Sequence, residues 1–174
     1  MDKFCSELQR WDGKQVDLLK RFYLEWSSRG GFVEHLLEAL KGPDTERAAS
    51  WLIKHHLEHD QTLDAAEAGR LFACCGSLAD WQAQLHVLQT LHWLPIAARD
   101  RKRLELFVRT CLSHNKPFVR AWAYSGMDIL ARRFPALRHE VDAMLSMAMT
   151  DEPASVRARI RQLRAKPLDL PARS

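Results

Sequence analysis

Apolar residues recur every three or four positions along most of this chain, which is the spacing of one face of an α-helix. The clearest stretch is 115–135, where the positions of the apolar face are Val119, Ala123, Gly126 and Leu130. The pattern occurs in four stretches, aligned at Arg47, Gln82, Arg120 and Arg157. Spacings of 35, 38 and 37 residues separate the aligned positions, and an alanine follows each of them. A fixed period of this length is typical of stacked helical repeats.

Each repeat is predicted to consist of two helices joined by a short turn. Prolines, acids and small polar residues precede the second helix of each pair, as expected of helix starts. No stretch has the two-residue alternation of a strand, so the predicted fold class is all-α. The predicted helical pairs are 32–41 with 44–59, 63–75 with 78–94, 98–113 with 116–134, and 137–149 with 153–165.

The ends of the chain are predicted to differ from the repeats. Val16, Leu19, Tyr23 and Trp26 lie on one face of a helix over 15–28, which Gly30 and Gly31 end. A first repeat exposes apolar surface unless something covers it, so this helix is predicted to be a cap, with 2–11 packed against it. We expect a single domain over 1–174: a cap in 1–30, four repeats in 31–166 and a loose tail in 167–174.

The heads of the second helices resemble those of the HEAT repeat family. The residues that carry the resemblance are Val119-Arg120-Ala121-Trp122-Ala123 and Val156-Arg157-Ala158, each after a turn with a proline. The second unit departs from this pattern, because Trp81-Gln82 stands there. The resemblance implies an α-solenoid whose second helices line a concave groove. Because HEAT-like solenoids are mostly binding scaffolds, it also implies a non-catalytic function.

The composition predicts a soluble protein of the cytoplasm. Apolar residues make up 47% of the 174 residues, the longest nearly uncharged run alternates like an amphipathic helix, and the amino terminus has no secretory pattern. The four cysteines have no disulfide framework spacing, which favours a reduced compartment. We therefore expect no membrane contact.

The charge is distributed unevenly. Residues 1–87 contain ten Lys or Arg and fourteen Asp or Glu, whereas 88–174 contain sixteen and eight. The carboxyl-terminal half therefore suits an anionic partner such as nucleic acid. The alternative is that its last basic residues form the polar face that keeps a terminal repeat soluble. Those residues are Arg157, Arg159, Arg161, Arg164 and Lys166.

One group of side chains resembles a metal site. His55 and His59 are four residues apart on one predicted helix, within reach of a single zinc ion. The spacing is not that of H-E-x-x-H, and a third ligand is not evident, so a polar helix end is the preferred interpretation. The sequence has no glycine-rich phosphate loop and no nucleophile motif. No metal, cofactor or catalytic residue is predicted.

The aligned arginines have a predicted structural role. One arginine per repeat at the head of the second helix can bond to an acid or carbonyl of the next unit and hold the stack together. Gln82 occupies this position in the second unit. The arginines predicted to do so are Arg47, Arg120 and Arg157.

The candidate binding residues lie on the second helices. A tryptophan on a helix is usually a core residue, but an exposed one can contact a ligand. Trp122, Tyr124 and Asp128 are loosely similar in type to the concave aromatic and carboxylate residues of HEAT-like alkyl-purine DNA glycosylases, without matching a motif of that family. The complete set is Trp51, Lys54, His55, Gln89, Trp122, Tyr124, Asp128 and Arg161.

The predicted function is that of a protein-binding or scaffolding module with a preformed groove and an unidentified protein partner. A rigid groove favours binding because little ordering is needed. The alternative is a nucleic-acid-binding protein, with or without base chemistry, that uses the basic carboxyl-terminal half.

Overall fold

A computed structural model describes residues 3–170. Ten α-helices lie in this range, and no strand is present in it, which confirms the all-α prediction. The predicted segments 2–11 and 167–174 each extend beyond the described residues. The helices are α1 (Lys3–Gln9), α2 (Val16–Trp26), α3 (Phe32–Ala39), α4 (Glu46–Glu58), α5 (Ala65–Cys74), α6 (Trp81–Thr90), α7 (Arg101–Leu112), α8 (Pro117–Arg133), α9 (Arg138–Asp151) and α10 (Ala154–Ala165).

Side chains fix where several helices begin. The Asp64 carboxylate accepts the backbone N–H groups of Ala66 and Glu67, and the Glu67 carboxylate accepts the N–H of Asp64, so that α5 begins with a capping box. Asp80 caps α6 in the same way, by accepting two N–H groups. Pro117 begins α8, where the missing N–H costs no hydrogen bond.

The helices contact one another in two rows. The second helices of the pairs are consecutive neighbours: α4 contacts α6, α6 contacts α8 and α8 contacts α10. Among the first helices, α3 contacts α5 and α5 contacts α7. The helix α8 also packs against α7 and α9, which makes it the most enclosed helix of the described chain.

A continuous hydrophobic core runs from α1 to α10, from Phe4 to Ile160. The closest approach in it is at Gly126 of α8. A Cβ placed on Gly126 would lie 3.1 Å from Cγ1 of Val108 in α7 and 3.2 Å from Cδ1 of Leu91, just after α6. The glycine therefore lets three segments meet at a distance that a larger residue would prevent.

The amino-terminal helices pack on the first helical pair. The Phe4 ring in α1 is 4.9 Å from the Phe22 ring and 6.2 Å from the Phe32 ring, both in edge-to-face geometry. The Trp26 indole donates to the Glu7 carboxylate at 3.1 Å. A second link joins α2 to α4, because the Tyr23 hydroxyl is 3.0 Å from Nδ1 of His56. Residues 3–26 thus cover the first pair, as a cap would.

The described part of the predicted tail is not helical, but it packs on the protein. Leu168 and Leu170 are half-buried against the core. Arg132, near the end of α8, donates a hydrogen bond to the backbone carbonyl of Leu168. Segment 167–170 therefore lies against α8.

Two further features bear on the expected cellular setting. Within residues 3–170, no helix combines the length and the apolar character needed to cross a membrane. All four cysteines are free thiols, and three of them are buried. Burial raises the pKa of Cys74, Cys75 and Cys111, so these thiols remain protonated and unreactive.

Candidate functional site on the second helices

The partly exposed side chains of α4, α6, α8 and α10 form the candidate site, which we call the second-helix surface. The polar and aromatic residues on it come from all four helices. They include Trp51, Lys54, His55, His86, Gln89, Trp122, Arg132 and Arg159.

Aromatic rings stack at the amino-terminal end of this surface. The Trp51 indole is parallel to the His55 imidazole, with ring centroids 4.7 Å apart. His59 follows at 4.0 Å from His55, and the Tyr23 ring meets His55 edge-on at 4.8 Å. This stacking fixes the indole of Trp51 while leaving part of it accessible.

Burial keeps two histidines of this group neutral. Burial lowers the pKa of His56, whose Nδ1 faces the Tyr23 hydroxyl, and it also lowers the pKa of His55, aided by the nearby charge of His59. Nδ1 of His59 is 2.7 Å from the carbonyl oxygen of His55 and donates to it. No group of three or more His, Cys, Asp or Glu side chains suited to a metal ion occurs within residues 3–170.

His86 lies between α4 and α6. Its Nδ1 is 3.0 Å from the Ser50 hydroxyl, and Ser50 is itself buried. Burial, together with the nearby Lys54 ammonium, lowers the pKa of His86 to about 4. His86 is therefore a neutral hydrogen-bonding group at neutral pH and joins two adjacent second helices. Lys54 itself pairs with Glu58 at 2.6 Å.

Arg159 of α10 reaches across α8. Its guanidinium lies 3.8 Å from the Trp122 ring centroid, and Nε donates to the Ser125 hydroxyl at 2.9 Å. Nη2 is buried without a hydrogen-bond partner, and Arg159 makes no ion pair with any residue of the described chain. Burial lowers the pKa of Arg159. The result is an oriented cation that forms no ion pair with an acid of residues 3–170.

Tyr124 and Asp128 do not share a face with Trp122. Tyr124 is only 8% exposed and donates its hydroxyl to Glu152 at 3.2 Å. Asp128 accepts a hydrogen bond from Arg138 of α9 at 2.9 Å. Both side chains are turned toward α9, where Tyr124 borders a depression of about 580 Å³ lined mainly by α9. The structure therefore does not bring together the three residues that are similar in type to a glycosylase site.

The remaining candidates have few contacts. Gln89 is half-buried on α6. Arg161 is exposed on α10 and makes no hydrogen bond or ion pair within residues 3–170. The surroundings of Gln89 and Arg161 indicate no specific chemical role for either residue.

Two of the three aligned arginines bond to the next helical pair. Arg47 donates to Asp80 through Nε at 2.9 Å and Nη2 at 2.5 Å. Arg120 donates to Glu152, which precedes α10, with Nε within 3.1 Å of both carboxylate oxygens. Arg157 in α10, the last helix described, has no such bond in the described chain. The contribution of these bonds to stability stays a prediction.

Sequence reasoning missed a second link beside Arg47. Glu46 is 3% exposed, and its carboxylate accepts the backbone N–H groups of Ala79 at 3.1 Å and Asp80 at 2.7 Å. The signal was present in the repeat alignment, because Glu46 stands where the other units have an apolar residue. A buried carboxylate requires such donors.

The arrangement can bind a partner by stacking, hydrogen bonding and charge, through Trp51, Trp122 and Arg159. Lys54 and His55, although polar, are already engaged with neighbours of the same helix. Comparison of the chain with protein-family models, curated proteins and solved structures finds no significant match.

Proposed function

We propose that this protein is an α-solenoid of HEAT-like repeats with an amino-terminal cap, and that it acts as a non-catalytic protein-binding module. The two rows of consecutive helix neighbours support the repeat architecture. The bonds of Arg47 and Arg120 support it as well, since each of these aligned arginines bonds to an acid near the start of the second helix of the next pair.

The protein partner binds along the second-helix surface. The observation that carries this proposal is that Trp51 and Trp122 are both partly exposed there, and each is held by a stacking neighbour. Tryptophan and arginine are the residues that most often dominate the binding energy of protein interfaces. Fixed side chains also lose little entropy on binding.

Site-specific photocrosslinking tests this proposal. The photoreactive residue p-benzoylphenylalanine is placed at His55 or Gln89 of the second-helix surface in the full chain. The control position is Leu106 of α7, which is 69% exposed and lies in the row of first helices. We expect a discrete protein adduct from positions 55 and 89 in a lysate of the source cells. Adducts that form equally from position 106, or none from 55 and 89, contradict the proposal.

A second candidate function is nucleic-acid binding through the basic carboxyl-terminal half. The specific observation in its favour is that Arg157, Arg159 and Arg161 of α10 make no ion pair within the described residues. Free cations of this kind suit phosphates, and binding would weaken steeply with salt. Fluorescence anisotropy with labelled duplex DNA at several salt concentrations measures this. Absence of binding at low salt rules the candidate out.

A further inference from the structure

A short, non-helical piece of the chain already lies against one end of the second-helix surface, at Arg132. Segment 167–170 has no regular secondary structure, yet both of its leucines pack against the core. Arg132 of α8 holds it by a bond to a backbone carbonyl, that of Leu168. A backbone bond with pockets for alternate side chains is how proteins bind extended peptides. Leu168 and Leu170 are two residues apart, and in an extended peptide this spacing places side chains on the same side of the chain.

The acid between the two leucines lies near the end of α6. Asp169 is exposed and close enough to His92 to raise its pKa, although burial keeps the net shift downward. Nδ1 of His92 is buried and has no hydrogen-bond partner in the described chain. The positive charge of Arg159 also acts on His92 and lowers its pKa. The charges of Asp169 and Arg159 therefore both act on the His92 imidazole, with opposite signs.

Arg159, the cation of this region, has no ion-pair partner among the acids that the structure describes. Arg159 is fixed by Trp122 and Ser125, and Asp169 forms no ion pair with it. Burying a charge without a counter-ion is unfavourable, and an external carboxylate placed beside it recovers part of that free energy. The same region thus combines apolar contacts for leucine side chains with the positive charge of Arg159, which has no ion-pair partner within residues 3–170.

We propose that the α8 part of the second-helix surface, from Trp122 to Arg132, binds an extended acidic segment of the partner that carries leucines, and that 167–170 is an internal occupant of this site. This inference rests on the proposed protein-binding function and names the chemistry of the partner. The internal segment competes with the partner, because its attachment gives it a high effective concentration.

Peptide binding to a variant with a released segment tests the inference. In the full chain, Leu168→Ser with Leu170→Ser removes both apolar contacts. The probe is a fluorescein-labelled peptide of sequence Glu-Glu-Leu-Asp-Leu-Glu-Glu, and its neutral counterpart has glutamine and asparagine in place of the acids. By anisotropy, we expect the variant to bind the acidic peptide about tenfold more tightly than the unmodified protein does. The neutral peptide should bind the variant about tenfold more weakly than the acidic one.

Two arginines of α10 provide matched controls. In the released variant, Arg159→Gln should remove most of the difference in affinity between the acidic and neutral peptides. Arg161→Gln removes an exposed charge that makes no bond within residues 3–170, and it should leave this difference unchanged. A milder change, Asp169→Lys, keeps both leucines and should also raise the affinity for the acidic peptide. Asp169→Lys replaces the double variant in the binding measurement if the double variant is unstable.

Several outcomes overturn the inference. Equal binding of the two peptides, equal effects of the two arginine variants, or no gain on release of the segment would each do so. Binding of an oligo(dT) strand that depends on Arg159, without binding of the acidic peptide, would assign the surface to nucleic acid instead. A further combination is that a protein partner crosslinks to positions 55 and 89 while the peptide measurements give none of the expected results. That combination rejects only this inference and does not contradict the proposed function.

Discussion

Arg47 and Asp80 join α4 to the start of α6, with two guanidinium nitrogens on one carboxylate oxygen at 2.9 and 2.5 Å. The other oxygen of Asp80 caps α6 by accepting the N–H groups of Gln82 and Ala83. One carboxylate thus serves both the start of a helix and the contact between two helical pairs.

Loss of this pair should lower stability. Replacement of Arg47 by Gln removes a charged partner from the largely buried Asp80, and we expect the free energy of unfolding to fall by about 1–3 kcal/mol. Urea denaturation followed by circular dichroism measures the change. Arg157→Gln is the matched control, since Arg157 occupies the aligned position and its side chain bonds to no residue within 3–170. A control loss as large as that of Arg47→Gln would contradict a role for the pair.

Gly126 should tolerate no added methyl group without cost. Alanine there places Cβ within 3.2 Å of side chains of Val108 and Leu91. We expect Gly126→Ala to cost about 1–2 kcal/mol of unfolding free energy, because overpacking outweighs the better helix propensity of alanine. Gly76→Ala, with open space around the new methyl, is the control and should change stability by less than about 0.5 kcal/mol.

A double variant tests the cause of that loss. Val108→Ala removes the methyl groups that the new Cβ would meet. In combination with Gly126→Ala it should therefore cost less than the sum of the two single changes. Additive losses would show that Gly126 matters for another reason.

The helices were predictable because burial requires a periodic apolar face, but their exact ends and rotation were not. The predicted second helix 78–94 is shorter in the structure, Trp81–Thr90, since Asp80 caps its start. The predicted grouping of Trp122 with Tyr124 and Asp128 depended on how α8 is rotated about its own axis. The helix α8 is buried on nearly every side, so its sequence has no polar face that distinguishes α9 from the second-helix surface.

For two links of the site, the sequence did not show which groups are bonded to each other. The Glu46 carboxylate bonds to backbone N–H groups, which every residue carries, so no partner residue marks the contact in the sequence. The stacking of Arg159 on Trp122 joins residues of different helical pairs, and the sequence period does not show which side chains contact each other between pairs. Contacts between units therefore needed the structure.

Stability should depend on pH through His86. The unfolded chain takes up a proton near the ordinary pKa of 6.5, whereas burial holds the pKa of folded His86 at about 4. Stability is therefore lost as the pH falls from about 6.5 to 4, by up to about 3 kcal/mol, and does not change through this group above that window. Denaturation at a series of pH values measures the slope.

A variant identifies the group responsible. His86→Asn cannot take up the proton, and it should flatten part of the slope between pH 6.5 and 4. Burial also lowers the pKa of His55, His56, His92 and His114, so these histidines contribute to the slope that remains. Gln89→Asn on the same helix changes no ionisable group and should leave the slope as it is. An unchanged slope in His86→Asn would exclude this histidine as a source.

The packing of α2 against α4 should depend on the hydroxyl of Tyr23. In Tyr23→Phe the ring remains packed against Phe32, but Nδ1 of the buried His56 loses its partner. An unsatisfied buried group costs about 1–3 kcal/mol, and the loss falls on the contact between α2 and α4. Amide hydrogen exchange should therefore accelerate in α2 more than in α7, which does not contact it closely. Leu24→Ala, at an exposed position of the same helix, is the control. Equal acceleration in α2 and α7 would mean that the cap unfolds only with the whole protein.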